Sequence, residues 1–444
     1  MNASWTSDNY QKLIEWQNTL NNFPPRLTGS KGHQQFISWL KNEINDLGFS
    51  PVSETHYFNY WEPEKYNVYV AGESIEVSGY FPYSGLTPEA GITKDIVFLD
   101  RTFTQDISDK IVVFDISMRK DGKIELLDRV ISHPLIASRM ALSLIKKAKE
   151  KGAAGVIFVW DEVSSELTEN EVLPFTNAYL DIPAVWISAA NKQVLKKLTK
   201  KEPVTLCLTG TYALDSPTET FYVTIPGTSS EKKESILITT HTDGPNAIEE
   251  NGPIALLSML SFFKKNGIEL PQTLVFSFVS GHFQQDQIGG PKNKATGRWL
   301  DKFPELWDGK EGHLKAIFSL TLEHLGCLAS YDNSKNEYIQ TDSPETNYLY
   351  TSNQHQQVIV SEILKKSQTK DIIQFLDANE TPYFGEGMPI FKRNIPNVSM
   401  ITMPEFLFQV HREYIKPEME LMYEQIQYST EIILTVSKHG GAVT

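Results

Sequence analysis

Only two cysteines, Cys207 and Cys327, occur in this chain, and they lie far apart in β-like runs. That excludes a disulfide framework and a cysteine-rich metal site, so any bound metal must rely on histidine and carboxylate. No stretch approaches the roughly 20 consecutive apolar residues that a membrane span needs. Positive charge is also scarce: 41 Lys and Arg stand against 55 Asp and Glu, for a net charge of −14. Nucleic acid and anionic membranes reward clustered cations, so neither is expected as a partner. The first 17 residues are polar and lack a basic patch, an apolar run and a small-residue cleavage site, which predicts a cytoplasmic location.

What is present is the composition of a soluble globular protein, 444 residues long with 40% hydrophobic and 22% charged residues. That length accommodates two or three domains, or one large α/β domain carrying a smaller insertion. Residues 8–48 read as two helices separated by Pro24-Pro25 and the stretch Arg26-Leu-Thr-Gly-Ser30. The second helix has Phe36, Leu40, Ile44 and Leu47 at helical spacing and stops at Gly48. Residues 66–211 change texture to short β-like runs, such as Asn67-Val-Tyr-Val70 and Lys110-Ile-Val-Val-Phe114, interrupted by one helix near residues 135–151. They predict a compact β-rich unit with its own core.

From Ser235 the pattern is strand, polar loop, helix, repeated. The strands are Ile236-Leu-Ile-Thr-Thr240, Leu274-Val-Phe-Ser-Phe278, Ala316-Ile-Phe-Ser-Leu-Thr-Leu322 and Val398-Ser-Met-Ile-Thr402. A helix at residues 253–265 and a closing helix at residues 417–437 complete the series. Apolar strands alternating with helices predict an α/β fold with a mostly parallel sheet flanked by helices.

In such sheets ligands bind beyond the carboxyl ends of the strands. Four strands end in polar residues: His241 and Asp243 follow the first, His282 the second, Glu323 and His324 the third, and His411 lies shortly after the fourth. Imidazoles and carboxylates gathered at one sheet edge suit zinc or another divalent ion. In His241-Thr-Asp243 the outer residues point the same way on an extended segment, so the Asp243 carboxylate can fix the His241 tautomer or act as a weak ligand. Glu249 and Glu250 precede a helix start at Gly252-Pro253, where a carboxylate meets the positive helix end, and Glu250 is the preferred ligand of the pair. His324 should face away from Glu323 if its strand continues. Glu386, in Gly385-Glu-Gly387, is a candidate for substrate contact.

The order of these features resembles the zinc aminopeptidases, a family that includes bacterial double-zinc aminopeptidases, glutamate carboxypeptidase and the non-enzymatic transferrin receptor. Arg26-Leu-Thr-Gly-Ser30 with its following helix is similar to that family's opening segment. Asp109-Lys-Ile-Val-Val-Phe114 and Lys151-Gly-Ala-Ala-Gly-Val-Ile157 resemble its inserted protease-associated domain. The resemblance implies an aminopeptidase-like domain of residues 1–65 and 212–444 around an insertion of residues 66–211. It also implies one or two zinc ions on His241, Asp243, Glu250, Glu323 and His411.

Two departures stand out. Glu249-Glu-Asn-Gly252 replaces an Asp-Asn-x-Ser-Gly-like stretch, and His282-Phe283 replaces the Glu-Glu pair that supplies the general base and a ligand. Three arrangements follow: His282 is ligand or base in a remodelled site, one metal works with Glu249 or Glu250 as base, or the chain is an inactive binding relative. Because the exchanged residues mostly keep metal-competent chemistry, the expected function is metal-dependent hydrolysis of a small peptide or amide. A small-molecule amidohydrolase or acyltransferase on the same scaffold is the alternative, and a homo-oligomer is compatible with either.

Overall fold

The computed structural model describes residues 4–121, 123–126, 129–132, 134–169, 171–172, 179–200, 202–283, 288, 294–410 and 415–439. At its centre four parallel strands lie in the order Asn397–Thr402, Lys315–Leu322, Glu234–His241, Thr273–Val279. Their side chains are buried almost without interruption, as expected of strands covered on both faces. Alternation then divides the layers. Ile236 and Ile238 pack with Leu13, Trp16, Leu256, Leu260 and Ile426 on one side, while Leu237 packs with Val275, Trp299 and Leu300 on the other.

The chain leaves Glu234–His241 through the helix Gly252–Lys265, returns as Thr273–Val279 on one side, and later adds Lys315–Leu322 on the opposite side. Strand order therefore reverses at Glu234–His241, the position where open α/β sheets form a crevice at their carboxyl edge. The Gly252–Lys265 helix is apolar around its whole circumference and buried through Phe263. Its start is pressed so closely onto the strands that a Cβ on Gly252 would overlap Thr240 Oγ1.

The mostly parallel sheet of the sequence reading holds for this centre and gives way at both flanks. Thr346–Thr351 runs antiparallel to Asn397–Thr402 and parallel to Ile372–Asp377. On the other side Val204–Ile225 pairs antiparallel with Thr273–Val279 and along the length of Val52–Val70. The latter two strands form a long ribbon leading to a second, six-stranded sheet built from Ile96–Phe98, Ile111–Ser117, Gly155–Asp161, Ala184–Ser188, Gly79–Tyr80 and Glu171–Val172. The residue numbers 66 and 211 fall inside the ribbon strands. One face of the second sheet packs Phe114, Phe158, Trp160 and Trp186 with Ile145 and Ala148 of the helix Pro134–Glu150. Its other face packs Val113, Ile157 and Val185 against Trp61, Val68 and Leu206 of the ribbon. A helix Ala189–Leu198, unmarked in the sequence pattern, also belongs to this region.

Among the described residues, no helix is long and apolar enough to cross a membrane. Cys207 and Cys327 are both buried and free.

Candidate metal centre at the sheet edge

His241 is the last residue of its strand and is fully buried. Its Nδ1 lies 2.9 Å from the backbone carbonyl of Asp243. A carbonyl only accepts, so Nδ1 carries a proton and Nε2 is the nitrogen left to face the cluster. His324 repeats the device, with Nδ1 2.7 Å from the Thr402 carbonyl. His282 uses a carboxylate instead, its Nδ1 donating to Glu386 Oε1 at 2.5 Å. The rings of His241 and His282 stack with centroids 4.3 Å apart.

All three Nε2 atoms surround one oxygen. Glu249 Oε1 is 3.7 Å from His241 Nε2, 3.9 Å from His324 Nε2 and 4.0 Å from His282 Nε2. Glu323 adds Oε2 at 3.5 Å from His241 Nε2, while its Oε1 accepts the Glu386 backbone N–H at 2.7 Å. Buried within this group, His241 Nε2, His324 Nε2, Glu249 Oε2 and Glu323 Oε2 have no hydrogen-bond partner among the described residues. Unsatisfied polar atoms cost free energy in an interior, and a cation would satisfy them together. Two overlapping sets have the spacing to hold an ion: His241 with His282 and Glu323, and His241 with Glu249 and His324. The donor set of imidazole and carboxylate fits zinc.

The protonation pattern of the protein alone points the same way. Burial, with the neighbouring carboxylates of Glu250, Asp243 and Glu323, pushes Glu249 well above the usual carboxylate range against the pull of His241. Burial would lower His241, but Glu249, Glu323 and Asp243 together raise it well above its ordinary value. A divalent ion would displace protons held in this way. Burial brings His324 down to about 4 despite the attraction of Glu323, so it is a neutral imidazole near neutral pH. Glu386 resists burial and is held far below the usual range by the His282 hydrogen bond, the charges of His282 and Lys294, and the Thr296 N–H.

Several expectations are corrected by this geometry. The Asp243 carboxylate does not orient His241, since the backbone carbonyl of Asp243 does so. It instead accepts from Thr28 Oγ1 and from the backbone N–H of Gly281 and Phe283, each of the latter at 3.2 Å, and so positions the loop carrying His282. Glu250 gives Oε1 to Arg26, whose Nε and Nη2 both donate to it, while its Oε2 is buried beside Glu249 Oε2 with no hydrogen-bond partner among the described residues. Among the described residues, the sets with the spacing to hold an ion include Glu249 and not Glu250. Glu386, the candidate for substrate contact, is fully buried and backs His282, its other oxygen accepting the Thr296 N–H. His324, expected to point away, turns inward because the strand ends at Leu322 and His324 takes a left-handed conformation with φ +59°. Gly326, two residues on, was the sequence signal that the strand does not continue. His411 lies outside the described residues.

No protein-family model and no curated protein matches the sequence. Solved structures match it over nearly its whole length. A zinc aminopeptidase from Bacillus subtilis superposes with a TM-score of 0.66 at 15% identity, covering 98% of this chain and 96% of that one. A peptidase M28 precursor from Shewanella amazonensis gives 0.62 at 15% identity, with 97% and 96% covered. An aminopeptidase from Aneurinibacillus sp. strain AM-1 gives 0.61 at 14% identity, with 96% and 93% covered. The chain has the zinc-aminopeptidase fold. In that fold the cluster occupies the carboxyl edge of the central strands, where the strand order reverses. Arg26 and Thr28 enter the surroundings of this aminopeptidase-fold cluster from 215 or more residues away in sequence.

Proposed function

We propose that this protein is a metal-dependent hydrolase of aminopeptidase type, acting on the amide bond of a small peptide. The observation that carries the reading is the set of buried, unpartnered ligand atoms of His241, Glu249, Glu323 and His324 at the sheet edge. The fold, shared with proteins described as zinc aminopeptidases, supports the same reading and makes zinc the expected metal.

His241, Glu249 and Glu323 would hold the ion. When bound, it supplies Lewis acidity to a scissile carbonyl and acidity to water. His282 serves as the proton-accepting group at Nε2, and Glu386, hydrogen-bonded to Nδ1, stabilises the imidazolium that forms. This pair stands in for the glutamate base expected after the middle strand. Asp243 keeps the His282 loop in place, and the Arg26–Glu250 pair fixes the acidic loop from beneath. The region of residues 66–211 acts as a protease-associated-like insertion that walls the site. In support, the Gln409 side chain donates to the Glu166 carbonyl at 2.5 Å, and Leu167 packs with Ile248 and Phe406. A cytoplasmic location belongs to this reading, in keeping with two free thiols.

The test is purification in the presence of zinc, metal analysis, and hydrolysis of a panel of aminoacyl p-nitroanilides before and after treatment with a chelator. Tightly held zinc and chelator-sensitive turnover are expected. Free zinc at 100 times its Kd should stabilise the fold by about 2.7 kcal/mol relative to the chelated protein. Protein that retains no zinc and shows no thermal response to zinc or chelator would overturn the proposal.

A further inference from the structure

The composition of the ligand set, beyond the presence of a metal, can be read from which nitrogen of each histidine is already engaged. His241 offers only Nε2, because Nδ1 is bound to the Asp243 carbonyl. That single lone pair faces both Glu323 Oε2 at 3.5 Å and Glu249 Oε1 at 3.7 Å. One lone pair serves one ion, and each of the two sets that share His241, with His282 and Glu323 or with Glu249 and His324, has the spacing to hold it.

His324 completes the set. Among the described residues its buried Nε2 has no hydrogen-bond partner, and it lies 3.9 Å from Glu249 Oε1. With metal bonds of about 2.1 Å, neighbouring ligands of a tetrahedral zinc stand about 3.4 Å apart. The separations of 3.7 and 3.9 Å from Glu249 Oε1 to His241 Nε2 and His324 Nε2 need only a small contraction to reach that value. His324 also occupies a left-handed backbone conformation, unfavourable for a residue other than glycine, and is kept there by its Nδ1 bond to the Thr402 carbonyl. Backbone strain of this kind persists where surrounding structure enforces it and is concentrated at functional sites. A histidine needed only for packing would not require an orienting acceptor on one nitrogen and an unpartnered second nitrogen aimed at two carboxylates.

We infer that His324 ligates a zinc ion together with His241 and Glu249, a ligand that the two-metal pattern of the resembled family does not supply. The inference rests on the metal-dependent reading above. Zinc retention and zinc affinity test the two separately. The full chain, loaded with zinc alone and freed of excess by gel filtration, should retain zinc. His324→Ala and the near-isosteric His324→Gln should each weaken zinc binding by at least about 100-fold, beyond what loss of a supporting hydrogen bond costs. Circular dichroism and the unfolding temperature in chelator establish that each variant is folded. Cobalt(II) gives a second readout: the wild type should show the intense visible absorption of a four-coordinate site, and His324→Gln should lose it.

A folded His324→Gln with unchanged zinc affinity and cobalt spectrum would overturn this inference while leaving the proposed hydrolase intact. A wild type that binds no metal would overturn the hydrolase reading and this inference together.

Discussion

Glu250→Gln separates the sequence-level expectation for this residue from its structural role. Arg26 and Glu250 are both 0% exposed, and the guanidinium reaches Glu250 Oε1 through Nε and Nη2. Arg26 Nη1 also donates to the carbonyls of Phe23 at 3.0 Å and Pro24 at 2.9 Å, with Leu20 more distant at 3.4 Å. Glutamine keeps the shape of glutamate but removes its charge, leaving a buried guanidinium with only neutral acceptors. Removing one member of a buried pair costs about 3–5 kcal/mol, and the remaining carbonyls place this case toward the lower end. With an unfolding entropy of about 2.1 cal/mol/K per residue, a single-step transition of the 444-residue chain carries about 0.9 kcal/mol/K. The unfolding temperature should therefore fall by about 3–5 °C. Calorimetry in chelator isolates this effect from metal binding, and zinc content should stay at the wild-type level. Adding Arg26→Met should cost little more, because the unpaired charge is then gone. A Glu250→Gln protein of unchanged thermal stability that has lost its zinc would refute the reasoning and make Glu250 a ligand.

A Cβ on Gly244 would overlap Glu249 Oε2 and Glu250 Oε2, so Gly244→Ala should displace both carboxylates. Calorimetric titration should show weaker zinc binding, with a stability loss of about 1–3 kcal/mol from overpacking. His282→Ala should lower kcat by about 10²–10⁴-fold in steady-state assays while zinc is retained, the usual contribution of a positioned proton acceptor. Glu386→Gln keeps a hydrogen-bond acceptor for Nδ1 but no negative charge, so its loss of kcat should be smaller than that of His282→Ala. Equal rates for wild type and His282→Ala would move the proton-accepting role to Glu249.

Much of the site was legible because buried strands advertise themselves. Ile236 to Thr240, Leu274 to Phe278 and Ala316 to Leu322 are apolar enough to be read as covered on both faces, and the chain direction then puts His241, His282 and Glu323 at one edge. The choice between Glu249 and Glu250 was not legible. Both are carboxylates in one loop, and the residue that distinguishes them, Arg26, is 224 positions away in sequence. His324 was misdirected by assuming the two-residue alternation of a strand one step too far. Glu386 was noticed for its flanking glycines, but its role depends on His282, 104 positions distant.

What the sequence by itself determined is local and periodic: the alternation of strands with helices, the absence of cysteine ligands, and a histidine or carboxylate at or just past the ends of three of the four central strands. These properties follow from residue type, spacing and chain direction, which need no knowledge of distant partners. Only the tertiary structure decided which nitrogen of each imidazole is engaged, which of two adjacent glutamates enters the cluster, and that His324 rather than the Asp243 carboxylate faces Glu249. Those outcomes depend on hydrogen-bond acceptors and counter-charges brought together from remote parts of the chain. A buried polar atom takes whichever partner the fold delivers, and the atoms left without one mark where a metal can bind.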